Sequence, residues 1–153
     1  NPQLVGAYIN KADLQYRKAD KRGAINTFRA GLAVLTGNPD LSFSLGLAFA
    51  REGLRDEALE SLSDGASADN VRYHYVYAVA LHDYGQKEAA IDQLQTVILR
   101  WPEDEQAHNT LLSYLANRGR IQEAADVAAA MARTWPENRQ YANWARQLRS
   151  ARP

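Results

Sequence analysis

The side chains in this sequence with the most chemistry to offer are three histidines, His74, His82 and His108, and several adjacent carboxylates. His74 and His82 lie eight positions apart. That is about two helical turns, whereas two histidines that hold zinc from one helix sit about four positions apart. Asp56 with Glu57, and Glu103 with Asp104 and Glu105, stand in turns and helix starts, where capping employs carboxylates without catalysis. Nucleophilic catalysis needs an activated nucleophile beside a base and an oxyanion donor. The chain has no glycine-flanked serine elbow, no phosphate-cradling glycine loop and no cysteine. Without cysteine there is no thiolate metal site, no cysteine-attached haem and no thiol redox chemistry in this chain. The expectation is a chain that is not an enzyme and has no cofactor or metal, so attention turns to binding.

With 153 residues, the sequence is long enough to bury one core, and a single domain over 1–153 is expected. Eighteen basic and eighteen acidic residues cancel, which argues against duplex nucleic acid as a partner, since such proteins carry a basic excess. No stretch approaches the ~18 apolar residues that span a bilayer, so no membrane insertion is expected. The opening residues, NPQLVGAYINKADLQ, lack a basic start followed by an apolar run. The chain begins Asn1-Pro2 without an initiator methionine, which suggests a segment of a longer or processed protein.

A repeat organises the whole sequence. Gly53, Gly85 and Gly119 are each followed five residues on by an alanine, Ala58, Ala90 and Ala124, at spacings of 32 and 34. Seven residues before each glycine come Gly46, Ala78 and Leu112, and four before it come Phe49, Leu81 and Leu115. Asn70, Pro102 and Pro136 close the copies. A fourth, less regular copy lies upstream, with Ala19 in the turn position between Ala12 and Ala24. The copies therefore cover about 5–38, 39–70, 71–104 and 105–138.

Each copy reads as a helix, a short turn and a second amphipathic helix. The turn glycines can adopt the left-handed conformation that ends a helix, and the small residues let two backbones approach closely. Trp101-Pro102 and Trp135-Pro136 mark corners, because proline disfavours helix in the residue before it. Asn38-Pro39-Asp40 is a start signal with Asn38 as the cap. In the short copy, Gly65-Ala66-Ser67 replaces that signal, and its second helix is expected to end near Ser67. Tyr141, Trp144, Ala145 and Leu148 share one face of a last helix over about 138–150. Arg139, Arg146 and Arg149 occupy its other face, as suits a terminal cap.

The small residue, aromatic or leucine, turn glycine, alanine, large apolar residue and closing proline together resemble the tetratricopeptide repeat pattern over nearly the whole chain. The sequence departs from it at Lys11 and Gln15, where the family prefers apolar residues, and at His74 and His108, which take an aromatic position. The resemblance implies an all-α, right-handed superhelix of antiparallel helix-turn-helix repeats with a C-terminal capping helix. It also implies a concave groove lined by the first helix of each pair. Projected onto this sequence, the groove receives Ile9, Asp13, Tyr16 and Arg17, then Phe43, Ser44, Leu47 and Arg51. It continues with Tyr75, Val79, His82 and Asp83, and ends on Asn109, Thr110, Ser113 and Asn117. The implied activity is capture of a peptide or helical segment of a protein partner.

VRYHYVYAVALHDYG carries more aromatic and apolar residues than one buried stripe uses, which places Tyr75 at the centre of the groove. Core filling between repeats is the competing use of that tyrosine. The family's carboxylate clamp is not matched, because Ile9, Asp13 and Ser44 stand where it needs basic and amide groups. Charge is segregated along the copies: 1–38 carries six basic and two acidic groups, and 39–70 two and seven. The acidic middle and basic ends fit head-to-tail association, or simply solvated helix faces. The tract YVYAVALHDYGQKEAAI is also similar to C-terminal repeat regions of some multihaem cytochrome proteins. That resemblance implies an accessory domain docked to an upstream domain of an exported bacterial enzyme. The absence of cysteine fits a reducing or an oxidising compartment equally, which leaves bacterial cytoplasm and periplasm both open.

Overall fold

The computed structural model describes residues 2–151; Asn1, from which the sequence argument about the chain's start was made, lies outside them. The described residues form helices and turns, with no strand. The helices are α1 (Pro2–Arg17), α2 (Lys21–Val34), α3 (Pro39–Arg51), α4 (Arg55–Gly65), α5 (Val71–Asp83), α6 (Lys87–Arg100), α7 (Glu105–Asn117), α8 (Ile121–Thr134) and α9 (Arg139–Ser150).

Local chemistry sets the helix ends. Asn38 caps α3 by accepting from the Leu41 amide at 3.0 Å, with Pro39 in the first turn. Asp20 accepts from the Gly23 amide at 2.9 Å, and Asp104 from the Ala107 amide at 2.7 Å. Each satisfies an amide that the first helical turn leaves without a partner. Gly53, Gly85 and Gly119 take φ of 74°, 90° and 72°, so the turn positions expected from the repeat are left-handed. Ala19 takes φ 61° at the corresponding place in the first copy, where its Cβ costs about 1 kcal/mol that glycine avoids. The backbone geometry thus outlasts the glycine. Trp101 and Trp135 end α6 and α8, their amides donating to the Val97 and Met131 carbonyls. In the short copy α4 ends at Gly65, two residues before Ser67.

Contacts divide the chain into two compact units, 1–80 and 81–153, with the boundary inside α5. In the first unit α1 packs on α2, α2 on α3, α3 on α4, and α1 also reaches α3. Ala12, Ala24 and Ala58 are fully buried, so the helices meet at backbone distance. At Gly46 and Gly65 even a Cβ would collide: one would sit 2.7 Å from Leu62 Cγ, the other 2.8 Å from Phe43 Cβ. Gln15 keeps its polar group in α1 because its Oε1 accepts from the Thr27 hydroxyl at 2.6 Å, while Lys11 is exposed. In the second unit α6 packs on α7, α7 on α8 and α8 on α9. Its core is built from Leu94, Leu111, Leu115 and Met131 against Ala124, Ala125 and Ala128, all fully buried. α9 turns Tyr141 and Ala145 inward and leaves Arg139, Arg146 and Arg149 exposed.

Candidate binding site on the first helices

In the first unit the helical period places Ile9, Asp13 and Tyr16 on one face of α1, and Phe43, Leu47 and Arg51 on one face of α3. The two faces line a cavity of about 320 Å³, to which Ser44, Phe28, Arg72 and Tyr73 also contribute. Tyr16 joins the helices, donating from its hydroxyl to the Ala48 carbonyl at 3.3 Å. The Arg51 guanidinium lies 5.3 Å from the Tyr16 ring centre. Phe43 is buried and stacks on Tyr73, with ring centres 3.9 Å apart and 17° between planes. Arg72 stands 5.7 Å from the Phe43 ring centre. Among the described residues neither Arg51 nor Arg72 is in an ion pair, so both cations are held by aromatic faces and remain open to an anion.

Asp40 anchors this wall. It accepts from the Tyr73 hydroxyl at 2.8 Å through its side chain and from the Ser44 hydroxyl at 2.7 Å through its carbonyl. Burial, reinforced by the hydrogen bond to Asp40, pushes Tyr73 up to about 12. Tyr16 is also raised, by burial first and then by the Glu52 carboxylate. Because the folded value of Tyr73 exceeds the free one near 10, its protonated form contributes stability that is complete below about pH 10 and is lost toward about pH 12. Tyrosinate absorbance at about pH 11 should therefore lag behind that of the unfolded chain. The lag per tyrosine should shrink in Tyr73→Phe; an unchanged lag would contradict the raised value of Tyr73.

Seven of the projected groove residues, Ile9, Asp13, Tyr16, Phe43, Ser44, Leu47 and Arg51, come together here. Arg17 is exposed and does not line the cavity. Tyr75 and Val79 are half-buried on α5, but the part of α5 that lines the cavity is its first turn, at Arg72 and Tyr73. The projection missed these two because it assigned each first helix only its own wall. The available signal was Asn70, whose side chain accepts from the Arg72 amide at 3.0 Å and starts the helix there.

In the second unit His82 stacks on Tyr114 at 3.8 Å and 11°, with Nδ1 3.6 Å from Asp83 Oδ1. Asn109 is turned to its own helix, its amide donating to the Glu105 carbonyl at 2.9 Å. Ser113 and Asn117 are exposed on α7. His108 is buried, with Nδ1 2.9 Å from the Asp104 carbonyl and its ring meeting Trp135 edge-on at 5.2 Å. That is a packing role. Among the described residues no three histidine or acidic side chains converge as metal ligands, and no helix is long and apolar enough to cross a membrane.

Helix pairs closed by left-handed turns, small residues at the crossings and a lined wall on successive first helices define a helical-repeat protein. The chain belongs to the tetratricopeptide repeat family, whose sequence profile matches residues 9–72 and 78–139. Comparison with curated proteins found no match. Among solved structures, MamA is similar over 97% of this chain and 82% of its own, with 22% identity and a TM-score of 0.73. YrrB, described as a TPR protein with an unusual peptide-binding site, is similar over 94% and 75%, with 20% identity and a TM-score of 0.70. A tetratricopeptide repeat protein from Parabacteroides merdae reaches a TM-score of 0.77 at 19% identity, over 97% of this chain and 61% of its own. At these identities the likeness establishes the all-α repeat fold, and a repeat fold of this kind supports a protein-interaction scaffold.

Proposed function

We propose that the chain captures a segment of a partner protein, and that the cavity of the first unit reads an acidic side chain flanked by an aromatic or aliphatic one. The observation that carries this reading is the pair Arg51 and Arg72, two guanidiniums without carboxylate partners above a floor of Tyr16, Phe43 and Tyr73. A carboxylate meeting either cation gains charge-assisted hydrogen bonds, while the neighbouring apolar group gains contact with the rings. Asp13, on the α1 side of the cavity, suits a backbone amide or a basic residue further along the segment. YrrB, a peptide-binding protein of the same fold, lends the reading support. On the second unit, considered by itself, His82, Asp83, Asn109, Ser113 and Asn117 are proposed to contact a partner.

A peptide array probed with the purified protein tests the proposal. The array should enrich sequences in which Asp or Glu adjoins Phe, Tyr, Leu or Ile. Arg51→Glu with Arg72→Glu should weaken binding at least about tenfold, since each replaces an attraction by a like-charge repulsion. Both side chains are exposed, so the melting temperature should hold. The same peptide preferences in the folded double variant would overturn the assignment.

A further inference from the structure

A second cavity of the first unit, of about 240 Å³, has the opposite chemistry. Its apolar floor is Leu45 and Phe49 of α3, both buried, and its rim carries Glu57, Glu60 and Asp64 of α4. These carboxylates sit at offsets 0, 3 and 7, one face of the helix, and are exposed. Among the described residues none of them is in an ion pair. Arg29 also lines the cavity, yet it lies 5.4 Å over the Phe49 ring and not against a carboxylate. Ser42 and Ser61, 4% and 9% exposed, line the same cavity. Neither hydroxyl has a hydrogen-bond partner among the described residues. No fully buried polar side-chain atom there is left unsatisfied, so both hydroxyls must reach the cavity's open space. Two solvent-reached hydroxyls, lining one cavity with three carboxylates in no ion pair, offer acceptors to an incoming donor.

The same chain carries a matching surface. α9 has three arginines and no carboxylate, and its arginine face points away from the side that packs with Tyr141 and Ala145. Arg139 and Arg146 are seven residues apart, as are Glu57 and Asp64, and seven residues rise about 10.5 Å along either helix. Laid alongside each other, the two helices bring cation to carboxylate at both ends of two turns. The prior engagements of these arginines are slight: Arg146 bonds Asn143, and Arg149 lies 3.9 Å from Asp126 with both side chains more than half exposed. An exposed pair of that kind contributes ~0–1 kcal/mol and is readily exchanged.

We propose that the α4 cavity of one copy receives the arginine face of α9 of a second copy. The arginine heads meet Glu57, Glu60 and Asp64 and donate to the Ser42 and Ser61 hydroxyls. Their aliphatic stems cover Leu45 and Phe49. The two patches differ, so the contact is heterologous, and copies join head to tail. Because the rim charges are exposed, the association is strongest at low ionic strength and weakens once salt screens beyond about 8–10 Å.

Charge exchange between variants tests this. Sedimentation equilibrium of the full chain at low salt should show association growing with concentration and falling at high salt. Glu57→Lys with Glu60→Lys should weaken it at least about tenfold, as should Arg139→Glu with Arg146→Glu and Arg149→Glu. Mixed together, the two variants carry one acidic α9 and one basic α4 rim, and should recover association that neither shows alone. Helical circular dichroism and melting curves establish that each variant is folded. Arg51→Glu with Arg72→Glu, aimed at the other cavity, should leave self-association intact. A chain that stays monomeric up to about 200 µM at low salt, where a specific contact of even modest affinity would show, overturns the proposal. So does self-association that persists in the α9 variant, because the occupant would then be another surface.

Discussion

Replacing Gly46 with valine lowers the melting temperature of the first unit by about 12–24 °C. The Cβ alone would lie 2.7 Å from Leu62 Cγ and 2.9 Å from the Leu62 backbone nitrogen. Leu62 is 1% exposed and has no free space to turn into, and its backbone belongs to α4. The helices α3 and α4 would have to separate, and valine adds two further methyl groups to the crossing. Overpacking of a tight core costs about 1–3 kcal/mol and more where backbone must move, so roughly 3 kcal/mol is expected here. For a unit of this size each kcal/mol shifts the midpoint by about 4–8 °C. Alanine at the same position brings only the Cβ and gains some helix propensity, so its loss should be smaller. Differential scanning calorimetry separates the cases; a valine variant that melts with the parent would contradict the close crossing.

Truncating Leu111 to alanine should cost the second unit about 3–4 kcal/mol, the middle of the range for buried leucines. Leu111 is fully buried on α7, between Ala107, His108 and Leu115, which share its face. The helix packed opposite presents Ala124, Ala125 and Ala128, all fully buried. Alanine has no rotamer with which to refill a hole, and one of the other neighbours is fixed: His108 bonds the Asp104 carbonyl and packs against Trp135. Met131 is the flexible neighbour, and it can recover only part of the lost contact. Urea unfolding followed by circular dichroism reads the loss directly. A change below about 1 kcal/mol would show that the alanine-rich face closes over the gap.

The fold was legible because its signals are local and repeated. Gly53, Gly85 and Gly119 are where a left-handed turn is needed, and Ala19 shows the same turn surviving without glycine. Asn38 and Asp104 announce helix starts through bonds to amides only three residues away. The candidate site was legible in part. Residues of one helix face, such as Ile9, Asp13 and Tyr16, follow from the period alone. Arg72 and Tyr73 do not, because their place beside Phe43 depends on how α5 starts after the shortened copy. Nor does the pattern show that Asn109 spends its amide on its own helix.

What the sequence determined by itself is the period, the turns, the helix caps and the inward side of each helix, since these arise within a few residues of one another. Only the tertiary structure decided which of those faces meet. It set Gly46 against Leu62 and Gly65 against Phe43, left two arginines resting on aromatic rings without a carboxylate, and opened the acidic stripe of α4 onto buried hydroxyls. The reason is physical: helix formation is governed by neighbours in the chain, whereas a cavity is the space left where helices some thirty residues apart cannot fill each other's surfaces.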